Sequence, residues 1–231
     1  MNTEATTSTG YESSSSVPQR VLALSAVSLA DVPRVGGKGA NLGELITAGL
    51  PVPDGFVVTA DAFIEALEGA GVRAELRKKF AEVAPDAPDF AERCAELRRK
   101  VRDVPLPATT RDELAAAYAR LGADCWVAVR SSATAEDAAS TSFAGMHETF
   151  TNVRSLDALT ERLRDCWASL YGDRVVSYRK ARGLDAEPSI AVVVQQMVDS
   201  RRSGVIFTAD PTTSDDSRMV IEGARAAHPN R

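Results

Sequence analysis

The stretch "SIAVVVQQMV", residues 189–198, carries an unbroken apolar run from Ile190 to Val194. A half-exposed strand alternates apolar and polar residues; this one does not, so it reads as a strand buried on both faces. "SGVIFTAD" (203–210) and "RMVIE" (218–222) follow closely and read as further interior strands. Upstream, "CWVAVR" (125–130) is a buried-strand candidate, and "HETFTNV" (147–153) alternates well enough for its neighbour. "RVLALSAVS" (20–28) and "GFVVT" (55–59) supply two more short candidates.

Helical patterns fill the space between. From Gly39, residues Leu42, Leu45 and Ile46 recur at helical spacing until "GLPVPDG" (49–55) breaks the run. Thr59 or Asp61 is placed to cap a helix carrying Phe63, Ile64 and Leu67. Residues 72–121 read as mainly helical, with Phe90, Cys94, Leu97 and Val101 forming one apolar stripe. Thr110 and Glu113 have the spacing of a capping box, and Gly122 ends that helix. Leu156, Leu159, Leu163, Trp167 and Leu170 mark another helix, begun by Ser155, and a further one covers 172–182. Helices dominate the first part and closely spaced strands the last. That order predicts an α+β architecture with a largely antiparallel or mixed sheet rather than a doubly wound one.

The 231 residues carry a formal net charge of -5, which argues against a general nucleic-acid binder. Arg77-Lys78-Lys79 and Arg98-Arg99-Lys100 lie among acidic residues and read as solvated helix faces. Cys94, Cys125 and Cys166 form no CxxC pair, an odd count that predicts a reducing, cytoplasmic setting. No apolar run is long enough for a membrane span, so no membrane partner is expected. Residues 1–20 are polar and Ser/Thr-rich, without the pattern of a secretory signal, and are expected to be a disordered tail.

Three segments carry candidate chemistry. In "RVGGKGANLGEL" (34–45), Lys38 stands among Gly36, Gly37 and Gly39, just before a helical pattern. Glycine-rich turns bring backbone N–H groups to an anion, and a helix N-terminus adds partial positive charge. The spacing is not that of a Walker A motif, and taken alone it favours a plain turn. In "VAVRSSATAEDAASTSFAG" (127–145), Arg130 ends an apolar strand and suits phosphate oxygens, while Gly145 permits close backbone approach. A flexible surface loop fits that segment equally well. Gln195 and Gln196 interrupt the apolar strand; Gln196 could reach a ligand's polar edge, with Met197 and Val198 packing on an aromatic base. The same pair reads equally as satisfied polar residues at a sheet edge. His147 and His228 have no second ligand or acid partner nearby in sequence.

Taken together, "VGGKGANLGELITAGLPVPDGFVVT", "AVRSSATAEDAASTSFAGMHETFTNV" and "VVVQQMVDSRRSGVIFTADP" resemble the ATP-binding domain of phosphoenolpyruvate synthase, pyruvate phosphate dikinase and rifampicin phosphotransferase. The resemblance covers residues 21–222, leaving 223–231 as a divergent tail. It implies an ATP-grasp-like fold that holds ATP between two lobes. It implies that Lys38 and Arg130 contact the phosphates, that Gly145 and Thr149 belong to the phosphate-covering loop and the strand after it, and that Gln196 meets adenine beside a Met197–Val198 hinge. The family passes a phosphoryl group from ATP, with Mg²⁺, to a histidine on a mobile domain and on to an acceptor.

After "RMVIE" the family pattern continues into a glycine-rich stretch and then its metal-binding Glu and Gln-x-Arg elements, whereas here "GARAAHPNR" follows. Asp210, Asp215, Asp216 and Glu222 match none of the family's metal positions, so no metal ligand is expected among them. Three explanations fit this departure: a truncated or frameshifted gene product, a split enzyme completed by a second chain, or a catalytically inactive nucleotide-binding remnant.

Overall fold

The computed structural model describes residues 19–134, 148–184, 186–213 and 215–225. Five strands form one sheet in the order β1-β2-β5-β3-β4: β1 (Val21–Ala23), β2 (Gly55–Val58), β3 (Val127–Ala133), β4 (Thr149–Val153) and β5 (Ile190–Gln196). Every pairing is antiparallel. This is the mixed helix-and-sheet architecture expected from the order of patterns along the chain.

The centre of the sheet is β5, for the reason its sequence suggests. Ile190, Val192 and Val194 point into the larger core, with Phe56, Val58, Val127 and Val129 from the neighbouring strands. Ala191 and Val193 point the other way, with Val57, into a smaller core closed by Leu24, Val27, Val35 and Ala40. Helices α2 (Ala60–Gly69), α3 (Arg73–Glu82), α4 (Phe90–Arg102), α5 (Ala108–Arg120) and α6 (Leu156–Ala168) contribute to the larger core, as does α7 (Asp173–Ala181) through Val176. Helix α1 (Val32–Thr47) covers the opposite face, against β3 and β5. The charged runs of α3 and α4 pair with acids: Lys79 with Glu75 (3.4 Å) and Glu96, and Lys100 with Glu75.

Several local expectations change. The expected capping box at Thr110 and Glu113 does not form. Helix α5 begins at Ala108, after Pro107, and Thr110 is buried inside it. Glu113 accepts from the Arg20 and Val21 backbone N–H groups instead, each at 3.1 Å. Arg20, assigned to the tail by its sequence, is fixed by a bidentate bond to Glu65 (2.6 and 2.7 Å) and by Glu113 (3.2 Å). Order therefore reaches back at least to this residue, which ties β1 to α2 and α5. Ser155 caps α6 as expected, accepting from the Ala158 N–H at 3.3 Å.

The last two strands also differ from expectation. β6 (Arg202–Phe207) and β7 (Val220–Arg225) pair with each other in a separate two-stranded ribbon. Both faces of that ribbon are open: Val205, Ile206 and Ile221 are all more than half exposed. An apolar run specifies a strand, but the packing that buries it must come from elsewhere in space.

Candidate nucleotide-binding site

Helix α1 is broken at Gly36, where φ is 67° and ψ 168°. The glycine corner is thus a kink inside a helical stretch, and regular helix resumes at Gly37. That restart puts a helix N-terminus, with its unshared N–H groups and partial positive charge, beside Lys38. The break is locked to β3 by Ser132. The Ser132 hydroxyl donates to the Val35 carbonyl oxygen at 2.8 Å and accepts from the Gly39 N–H at 3.3 Å. A Cβ on Gly36 would meet the Ser132 carbonyl oxygen and Oγ, each at 2.4 Å. Only glycine satisfies both that approach and the positive φ.

Arg130 lies two residues before Ser132 on the same strand, so it shares Ser132's face about 7 Å away. In register, Arg130 stands opposite Val193 on one side and Thr149 on the other. Val193 belongs to the smaller core under α1, so Arg130 and the exposed Thr149 face the α1 side of the sheet. Gln195 stands opposite Ala128 and shares that face. Its amide oxygen accepts from Arg130 Nη1 at 3.3 Å, and its amide nitrogen donates to the Pro53 carbonyl oxygen at 3.2 Å. Gln195 is only 8% exposed, whereas Arg130 and Lys38 are half-buried.

The other expected residues are placed differently. Gln196 stands opposite Val127, on the far face from Arg130, with its side chain exposed. Its N–H donates to the Asp54 carbonyl oxygen at 2.8 Å, and the Met197 N–H donates to the Trp126 carbonyl oxygen at 2.8 Å. These bonds end β5. Val198, 61% exposed, leads away toward the ribbon. Gly145, His147 and His228 lie outside the described residues. Two contributors were not singled out by sequence reasoning. Ser132 sits in a Ser-Ser pair that reads as loop, and Gln195 reads only as half of an ambiguous pair. The strand register was the missing signal, because it assigns every second residue to Arg130's face.

A lysine at a helix start, a strand arginine and a threonine on one sheet face form a set suited to a polyphosphate. A family model described as pyruvate phosphate dikinase, AMP/ATP-binding domain, matches residues 32–225. The chain belongs to this family. Among curated relatives, the phosphoenolpyruvate synthase of Aeropyrum pernix is 41% identical over 210 residues, covering 87% of this chain and 26% of the relative. The phosphoenolpyruvate synthase of Pyrococcus furiosus is 36% identical over 233 residues, covering 84% and 28%. The chain spans about a quarter of the length of these relatives.

The acids near the ribbon, where no metal ligand is expected, are engaged in local hydrogen bonds. Asp210 accepts from the Thr212 N–H (2.8 Å) and Thr213 N–H (3.3 Å), and the Thr212 bond chiefly holds its carboxyl below the usual range. Asp215 accepts from the Ser217 hydroxyl (2.6 Å) and N–H (2.9 Å), which lower its pKa in the same way. Both carboxylates stabilise turns. Among the described residues, no three His, Cys, Asp or Glu side chains are grouped to hold a metal ion.

Proposed function

We propose that this chain binds ATP on the α1 face of the sheet, with Lys38 and Arg130 contacting the phosphates. The observation that carries this reading is the Ser132 clamp, which joins the glycine corner of Lys38 to the strand of Arg130. The AMP/ATP-binding family supports ATP as the ligand. In this reading Gly145 and Thr149 border the phosphates on the α1 face, while the adenine reaches past the end of β5, where it meets Gln196 beside the hinge of Met197 and Val198 in an ATP-grasp-like arrangement. The relatives named phosphoenolpyruvate synthase support a role in a phosphotransferase, and the motif resemblance implies that it passes phosphoryl from ATP toward a histidine on another domain. In the complete family enzyme Mg²⁺ would accompany ATP and neutralise its polyphosphate. The setting proposed is the cytoplasm, where ATP and reduced cysteines coexist.

The test is calorimetric titration of the chain with ATP. Lys38→Ala and Arg130→Ala each remove a charge-assisted contact and are expected to weaken binding roughly ten- to a hundredfold. Absence of ATP binding, or unchanged affinity in both variants, overturns the reading.

A further inference from the structure

We propose that Gln195 is a positioning residue that orients Arg130 for phosphate while leaving its charge uncompensated. The inference rests on the phosphate-site reading above and assigns a role within it that neither sequence motif nor family match supplies.

Most arginines held firmly in this fold are held by acids. Arg20 is bound by Glu65 and Glu113, Arg73 by Glu187 and Glu68, and Arg102 by Asp165. Arg130 differs: among the described residues its hydrogen-bond partner is the amide oxygen of Gln195, and no carboxylate pairs with it. The distinction has a chemical consequence. A carboxylate at this place would occupy the guanidinium in an ion pair and repel an incoming phosphate. A neutral amide accepts one N–H and leaves the full positive charge and the remaining donors for the ligand.

Orientation of the amide is also determined. Its NH₂ group donates to the Pro53 carbonyl oxygen, so its oxygen is turned toward Arg130. A side chain 8% exposed and bonded at both ends loses little further freedom when a ligand arrives. The central strand β5 thus passes rigidity from the core to the arginine through one amide.

The experiment compares Gln195→Glu and Gln195→Met with Arg130→Ala, using ATP and adenosine as separate titrants. Gln195→Glu keeps the shape and adds the carboxylate; it is expected to weaken ATP binding by at least about tenfold. Gln195→Met keeps the bulk and loses the hydrogen bond; a loss of about two- to tenfold is expected. Adenosine affinity, which has no phosphate to sense Arg130, stays at the wild-type value in both. A general packing defect would lower both affinities together and would overturn the proposal. So would wild-type ATP affinity in Gln195→Glu while Arg130→Ala loses it. If Arg130→Ala also binds ATP normally, the phosphate-site reading itself fails. Should Gln195→Glu not fold, the Gln195→Met pair of titrations decides on the same criteria.

Discussion

Replacing Gly36 with alanine should be among the most damaging single-methyl changes in this domain. Two separate effects act at that position. The backbone sits at φ 67° and ψ 168°, a region essentially reserved for glycine, where another residue costs about 1–3 kcal/mol. The new methyl would also stand 2.4 Å from both the carbonyl oxygen and the hydroxyl of Ser132, and 2.6 Å from its carbonyl carbon. Backbone atoms of a central strand cannot step aside cheaply, and such overpacking costs about 1–3 kcal/mol more. The expected loss is therefore about 2–6 kcal/mol, a large share of the 5–15 kcal/mol typical of a domain. Gly71 provides the control: its φ is also 67°, yet an added Cβ there meets nothing within 4 Å. Gly71→Ala should cost only the backbone strain, about 1–2 kcal/mol. The assay is urea unfolding of both variants, read as the midpoint shift at constant slope. Equal losses at Gly36 and Gly71 would show that Ser132 does not clamp the glycine corner, and the link between Lys38 and Arg130 would fall with it.

Two further outcomes follow from burial and charge. Burial pushes the Cys166 thiol up to about 12 and the Cys94 thiol up to about 11, so at pH 8 a thiol reagent should modify half-buried Cys125 first and reach the other two only on unfolding; equal labelling of all three in the native state would contradict the packing of α4 and α6. Lys100 chiefly lowers the pKa of Glu75, and Lys79 that of Glu96, so their pairing stabilises the fold above the ordinary carboxylate range and is lost as the pH falls through the lowered values. Carboxyl NMR titration should place both below the reference 4.5, and a value at or above it for either would refute that pairing.

The parts of this structure that could be read from sequence are those set by local pattern. The run Ile190–Val194 announced a strand buried on both faces, because neither face could tolerate water. Ser155 announced the start of α6, because a serine hydroxyl answers an unshared N–H only a few residues away. What escaped reading depends on partners distant in the chain. Glu113 had the spacing of a cap but bonds the backbone at Arg20 and Val21, some ninety residues back. The apolar residues of β6 and β7 specified strands correctly, but their burial depended on a neighbour and not on their own hydrophobicity. At the candidate site, Lys38 and Arg130 were legible as residue types suited to phosphate. Ser132 and Gln195, which join and orient them, became visible only with the register of β3 against β5.

A crystal structure of the chain with a non-hydrolysable ATP analogue tests the central claim most directly. The account predicts phosphate oxygens within hydrogen-bonding distance of both the Lys38 amine and the Arg130 guanidinium, on the α1 face of the sheet, with Gln195 still bonded to Arg130. A nucleotide seated on the opposite face, or phosphates in contact with neither cation, would contradict it.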